Sequence, residues 1–261
     1  MKVGIIGCGV MGGAIASRLS KCHEVFLQDH KEANAKLLSS KTGARILLDL
    51  GELTHRVEII ILAVKPKDFK IVSEKIAPHL KKNHLVISIL AGVPLETLQI
   101  HFPLTSVFRV MPNLPLICGH GMLGIADDPS VDALLKQKVE EILKELGTIF
   151  WLQEKLMNAF TALTSSNPAF IYLIVEAMVE AGVTLGFKAD LSLEFVLETI
   201  EGSVALLRES ELSPSELKMR VTSPGGATIA GLNELENQGV RSGITQGIKR
   251  CYERAEEMGG S

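Results

Sequence analysis

The chain has 261 residues, 46% hydrophobic, 22% charged and 5% aromatic, enough for one large domain or two modest ones with a buried core. Twenty-seven Lys and Arg against 30 Asp and Glu leave a formal charge of −3. That balance lacks the basic excess of a nucleic-acid binder, and aromatics to stack bases on are few. The four cysteines, Cys8, Cys22, Cys118 and Cys251, form no paired ligand spacing and the seven histidines form no ligand pair. No metal is expected, and reduced thiols suit a cytoplasmic protein.

In chain order, residues 2–6 form a short apolar run, read as a strand that breaks into Gly7-Cys8-Gly9. No basic segment followed by an apolar one precedes it, so a signal peptide is not expected. A helical pattern runs to about Lys21, and 24–28 predicts a second strand closing on Asp29. Residues 57–64 are nearly continuous and β-branched, as a strand buried on both faces should be, and 84–90 and 106–110 repeat the theme. Helix-like segments near 31–40, 67–80 and 94–101 separate these runs. Strands alternating with helices predict βαβ units and a mostly parallel sheet.

After Trp151 the pattern changes. Residues 154–182, 192–208, 228–237 and 241–258 favour helix, with no strand of comparable quality, and Gly259-Gly260-Ser261 reads as a frayed end. The expected division is an α/β domain over 1–153 and an all-α domain over 154–261. Residues 156–175 carry no charge and are long enough to span a bilayer. Their middle, Thr161 to Pro168, holds hydroxyls, an amide and a proline, so packing against protein and not lipid is expected.

Gly7-Cys8-Gly9-Val10-Met11-Gly12 fits G-x-G-x-x-G, leaving a strand and opening a helix. In that setting the glycines allow a tight turn, close pyrophosphate approach and close helix packing, and the free amides of the helix start hold phosphate. Asp29 stands 17 positions after Gly12, where an acid binds the ribose hydroxyls of NAD and repels a 2′-phosphate. His30 and Lys31 follow directly and suit that phosphate instead. Both readings stay open, with a lean towards NADH being usable. Ala63-Val64-Lys65-Pro66 closes the third strand at the sheet edge where ligands sit; Pro66 is expected to open the next helix. Lys65 reads equally as a site residue or a solvated lysine.

In the helical half, Thr222-Ser223-Pro224-Gly225-Gly226-Ala227-Thr228 turns sharply into a helix. Amides at Gly226, Ala227 and Thr228 suit a carboxylate, with the Thr228 hydroxyl beside it; a plain helix cap is the other reading.

Continued through Ile229-Ala-Gly-Leu-Asn-Glu-Leu-Glu236, this segment resembles the signature of pyrroline-5-carboxylate reductases. The resemblance extends over essentially the whole chain, through Gly7 to Gly12, Ala63-Val-Lys-Pro66, Ser88-Ile-Leu-Ala-Gly-Val93 and Arg109-Val-Met-Pro-Asn113. It implies a Rossmann-type doubly wound sheet followed by an all-α dimerisation domain. It also implies an enzyme reducing Δ1-pyrroline-5-carboxylate to L-proline with NADPH or NADH. Family members are homodimers through interleaved C-terminal helices, and some associate further into decamers. By the same resemblance, Ala227 and Thr228 meet the substrate carboxylate and ring nitrogen, Ser223 shapes the loop, and Glu211 and Glu154 fall at acidic substrate-site positions. Val64, Lys65, Pro66 and Ala91 line the nicotinamide side.

Three departures stand out. Ser165-Ser-Asn-Pro-Ala-Phe170 replaces the family's Gly-Ser-Gly-Pro-Ala-Tyr, and Leu114 replaces a Thr. An Asn that often supports the adenosine is missing around Asp49-Leu50. Two other readings remain. A β-hydroxyacid dehydrogenase or imine reductase shares the architecture, although Lys155 and Lys188 sit in no hydroxyacid-dehydrogenase motif. A non-catalytic dinucleotide-binding paralogue draws its support from the altered 165–170 segment.

Overall fold

The computed structural model describes residues 1–259; Gly260 and Ser261 of the Gly/Ser end lie outside the described residues. Two compact units divide the chain. One holds residues 1–166 together with the chain from Cys251 onward, and the other runs Asn167–Arg250.

The first unit is built on strands β1 (Lys2–Ile6), β2 (Glu24–Gln28), β3 (Arg45–Ile46), β4 (Ile59–Leu62), β5 (Leu85–Ser88), β6 (Ser106–Pro112), β7 (Gly121–Ala126) and β8 (Gly147–Leu152). They lie side by side in the order β3-β2-β1-β4-β5-β6-β7-β8, parallel except for the antiparallel β6–β7 pair. β4 and β5 are buried along their whole length, which is why their sequences are apolar and not alternating, with Ser88 at the end of β5 the one polar residue.

Helices cover both faces. α1 (Val10–Leu19), α2 (Glu32–Thr42) and α6 (Ala133–Leu143) send Ile15, Leu19, Leu38 and Ile142 into one cluster with Ile5, Leu27 and Ile61. α3 (Leu50–Arg56), α4 (Phe69–Ile76) and α5 (Leu95–His101) send Leu53, Phe69, Ile76 and Leu98 into the other with Ile6, Ile60 and Val86. The order in which strands are added reverses between β1 and β4, the crevice where doubly wound sheets bind ligands.

The periodicity reading passes over β3, α3, β7, α6 and β8. β7 carries Gly121 and Gly124, which blur a strand pattern, but both are needed: a Cβ at Gly121 would lie 2.5 Å from the Leu146 carbonyl oxygen, and one at Gly124 would lie 2.7 Å from the Phe160 ring.

The expected single helix over 154–182 is broken. A 3-10 turn at Glu154–Leu156 leads into α7 (Met157–Phe160), a π-helical turn at Thr161–Ser165, and then α8 (Asn167–Thr184). Pro168 explains the break, because it has no N–H to reach the Thr164 carbonyl four residues back. That carbonyl instead accepts from the Asn113 side chain at 3.2 Å, while the Ser165 hydroxyl donates to the Pro112 carbonyl at 2.9 Å.

The second unit contains α8, α9 (Ala189–Glu209), α10 (Pro214–Arg220), α11 (Ala227–Asn237) and the first half of α12 (Val240–Gly259). α10 is not foreseen from periodicity; a Ser213–Glu216 capping box with Pro214 in the first turn starts it. α8 and α9 meet at Gly182, where a Cβ would lie 2.0 Å from the Ser192 hydroxyl, which itself donates to the Val179 carbonyl.

No residue of α8 is buried by its own chain, and Tyr172, Leu173, Phe195, Leu197 and Leu206 stand exposed on α8 and α9. The segment Glu154–Thr184 is long and apolar enough to cross a membrane by length and composition, with a mean hydropathy of 1.3, and only 11% of that window is buried. The sequence leads one to expect protein packing here; within one chain these residues have little of it.

Candidate functional site

The loop from β1 to α1 is shaped by what its glycines permit. Gly7 has φ +103°, and a Cβ on it would lie 2.6 Å from the Ala63 carbonyl oxygen at the end of β4. A Cβ on Gly12 would lie 1.9 Å from the Gly7 carbonyl oxygen and 3.0 Å from the Ala63 methyl. These two glycines let α1 sit against the β1–β4 crevice. Gly9 differs: a Cβ there would meet nothing within 4 Å. It caps α1 with no side-chain bond, so the first amides of the helix lack intrahelical acceptors beside this open space. Val10 and Gly9 are exposed, Met11 is half-buried, and the whole start of α1 fits a pyrophosphate.

Asp29, at the end of β2, is turned inward. Its side chain is 6% exposed; Oδ2 accepts the Cys8 amide at 2.7 Å and Oδ1 the Lys31 amide at 2.8 Å. The Asn34 amide and the His30 ring approach the same Oδ1 at 3.4 and 3.3 Å. The carboxylate thus ties the glycine loop to the β2–α2 turn, while His30 and Lys31 are exposed. Beside it, burial and the Asp29 charge push the Cys8 thiol up to about 12, so Cys8 is a neutral filler of the loop.

The loop after β4 holds Val64 half-buried and Lys65 exposed, with Pro66 opening a short 3-10 turn (Pro66–Asp68) ahead of α4. The loop after β5 bends at Gly92, φ +73°, where a Cβ would lie 2.9 Å from the Met258 carbonyl oxygen. Ala91 and Gly92 line a cavity of about 190 Å³ with Asn158, Thr161, Ser166, Cys251 and Arg254. Three glycine-bearing or proline-bearing loops therefore stand at the carboxyl ends of β1, β4 and β5, neighbours in the sheet.

Glu154 is bound inside the first unit. Its Oε1 accepts from Arg109 Nη1 at 2.5 Å and from the Leu95 amide at 3.1 Å. Periodicity assigned no role to Arg109, although a lone cation inside the buried strand at 106–110 was the visible signal.

The second unit holds the other sequence-selected residues. Ser223 accepts the Gly226 amide at 3.1 Å across Pro224 and Gly225, and Gly225 has φ +69°. That is the residue order of a type II turn, which needs positive φ at its third position. Gly226 then caps α11 without a side-chain bond, leaving the amides of Ala227 and Thr228 at an open helix start. Ser223, Ala227 and Thr228 are exposed. Glu211 is exposed too, between α9 and α10. Among the described residues no group of three or more His, Cys, Asp or Glu is arranged to hold a metal.

Residues 154–258 match the family described as pyrroline-5-carboxylate reductase dimerisation, and residues 2–92 match NADP oxidoreductase, coenzyme F420-dependent. A pyrroline-5-carboxylate reductase from Aquifex aeolicus is 35% identical over 99% of this chain and 97% of its own. One from Synechocystis is 36% identical over 99% and 98%. The chain belongs to the pyrroline-5-carboxylate reductase family. Its structure agrees: a Plasmodium falciparum pyrroline carboxylate reductase with NADP bound superposes at a TM-score of 0.90 and 30% identity, covering 99% of this chain and 98% of that one. Membership in that family and the open Gly9 face agree on a dinucleotide as the group the first unit is built to hold.

Proposed function

We propose that this chain reduces Δ1-pyrroline-5-carboxylate to L-proline by hydride transfer from NADPH or NADH, the last step of proline biosynthesis. The observation that carries this is the β1–α1 cradle, with Gly7 and Gly12 jammed against β4 and Gly9 left open, in a chain similar from end to end to reductases of that name. The test is loss of reduced-nicotinamide absorbance with purified protein and the imine, run with NADPH and NADH in parallel. A 3-hydroxy acid with oxidised cofactor serves as the contrast. Consumption with the imine supports the reductase; turnover of the hydroxy acid alone would replace it by a dehydrogenase.

The nicotinamide supplies the hydride that reaches the imine carbon. The chain's own task is to bind and align. Gly7, Cys8, Gly9, Val10, Met11 and Gly12 hold the pyrophosphate, His30 and Lys31 lie by the ribose with Asp29 behind them, and Val64, Lys65, Pro66 and Ala91 line the nicotinamide side. The Gly226 and Ala227 amides hold the substrate carboxylate, Ser223 sets the turn, and the Thr228 hydroxyl hydrogen-bonds the ring nitrogen. Glu211 favours the protonated, more electrophilic imine by its charge. Support for these roles is the uncapped start of α11 and the turn that exposes it.

In this reading residues 1–153 are the dinucleotide-binding domain and 154–261 the substrate and dimerisation domain. The apolar faces of α8 and α9 are covered by a second copy of the chain and not by lipid. The chain works in the cytoplasm as a homodimer, the unit from which any decamer would be built, with no nucleic-acid partner. Light scattering that returns only the single-chain mass would overturn the assembly.

A further inference from the structure

We propose that Arg109 is a positioning residue which, acting through Glu154, holds the β5–α5 loop in the shape that receives the nicotinamide end of the dinucleotide. This rests on the reductase reading above.

Arg109 is paired in register with Ser88, the last residue of β5, so its backbone lies next to the point where the loop departs. The residue is 4% exposed. One guanidinium nitrogen meets Glu154 Oε1 at 2.5 Å, and the other donates to Asn158 Oδ1 at 3.1 Å. The same Glu154 oxygen accepts the amide of Leu95, the first residue of α5, across 59 positions of sequence. Pro94 occupies the N-cap of α5 and has no side-chain acceptor, so Glu154 does from outside what a capping residue does locally. Asn158 passes the connection on by donating to Glu256 on α12, the helix whose Met258 carbonyl leaves no room for a Cβ at Gly92. The loop from Ala91 to Pro94 is therefore tied to the network where it enters α5, through the Leu95 amide.

The energetics favour geometry as the reason for this pair. Arg109 is buried while the Glu154 side chain is 37% exposed, so the desolvation of the cation offsets part of the attraction. Here Arg109 Nε and Glu154 Oε2 are both buried without a hydrogen-bond partner among the described residues, which adds a cost. What apolar side chains do not supply is direction: one guanidinium nitrogen holds a Glu154 oxygen that also receives the Leu95 amide, while the other nitrogen is fixed on Asn158. The amide opens α5 directly after the loop that leaves β5, and β5 lies next to β4, on whose other side β1 carries the cofactor cradle.

The test compares wild type, Arg109→Met, Glu154→Gln, Glu154→Ala and the double variant Arg109→Met/Glu154→Leu. For each, the NADPH dissociation constant is read from nicotinamide fluorescence without imine, together with kcat, both KM values and Tm. Glu154→Ala and the double variant should raise the Kd and KM for NADPH roughly tenfold or more and lower kcat, with the imine KM within about twofold. Glu154→Gln keeps an acceptor oxygen and should recover most of the binding. The double variant leaves no unpaired charge and so reports even if Arg109→Met fails to fold. Lower Tm with unchanged Kd and KM would reduce the pair to a structural tie and overturn the proposal. A rise in imine KM alone would do the same by making Glu154 a substrate ligand. Wild type that binds NADPH but turns over no imine would defeat the reductase reading, and the Kd comparison would still decide this one.

Discussion

Asp29 Oδ2 accepts the Cys8 amide at 2.7 Å, so the acid that closes β2 fastens the glycine loop 21 residues earlier. Its other oxygen accepts the Lys31 amide. An acid placed this way shapes the whole cradle, whereas one pointing outward would select the ribose.

The consequence is measurable. Asp29→Asn leaves one carbonyl oxygen for two amide donors and turns an NH2 towards one of them. The Kd should rise for NADPH and NADH alike, roughly tenfold, about the loss of one charged hydrogen bond. Lys31→Ala should weaken NADPH and leave NADH nearly unchanged. Isothermal titration with both cofactors checks this; weakening of NADH alone in Asp29→Asn would make Asp29 a ribose ligand.

Gly9 and Gly12 should respond differently to the same methyl group. At Gly12 the new Cβ lies 1.9 Å from a backbone oxygen, so the loop must move, costing about 3 kcal/mol or more of stability. Gly9→Ala should keep its melting temperature and lose dinucleotide affinity roughly ten- to a hundredfold, because the methyl intrudes only on the ligand's space. Thermal melts paired with binding titrations separate the two.

Thr228→Ala should lower kcat/KM for the imine by roughly ten- to a thousandfold, the worth of one oriented hydrogen bond to the reacting group. Thr228→Ser, which keeps the hydroxyl, should retain most of the activity. Steady-state rates equal to wild type in the alanine variant would remove Thr228 from the mechanism.

His84 predicts a pH dependence of stability. It is 7% exposed, its Nδ1 accepts the Lys81 amide at 2.9 Å, and burial first, then Lys81 and His55, lowers its pKa below the usual histidine value. The folded protein therefore binds this proton less readily than the unfolded chain. The contribution is whole above about pH 6.5 and is lost as the pH falls through the lower folded value. Urea midpoints measured from pH 8 to pH 5 should decline in wild type and decline less steeply in His84→Gln.

Cys8 should resist alkylation. With its pKa pushed up to about 12 it stays protonated at pH 8, while the exposed Cys22 and Cys118 should take up iodoacetamide. Peptide mass mapping after timed labelling checks the order.

Much of this was legible in the residues. β1 and β2 fall at 2–6 and 24–28 as the apolar runs predict, because the middle of a strand covered on both faces must be apolar. The helical pattern after 154 is real, but the unbroken helix over 154–182 is not: Pro168 removes one backbone donor, and Asn113, 51 residues away from Thr164, takes the freed carbonyl. β7 was missed because its glycines erase the period-two signal, and they are there for contacts with Leu146 and Phe160 that no local pattern contains.

The alternation of strand and helix, the G-x-G-x-x-G turn and the helical second half are readable from the residues. Each is a local pattern whose cause lies within a few neighbouring positions, and the family is readable from several such motifs in order along the chain. That Asp29 faces the loop, and that Glu154 meets Arg109 and Leu95, 45 and 59 residues away, comes from the packing alone. A side chain's partner depends on which strands lie side by side, and a carboxylate engages whichever buried donors packing brings within about 3 Å.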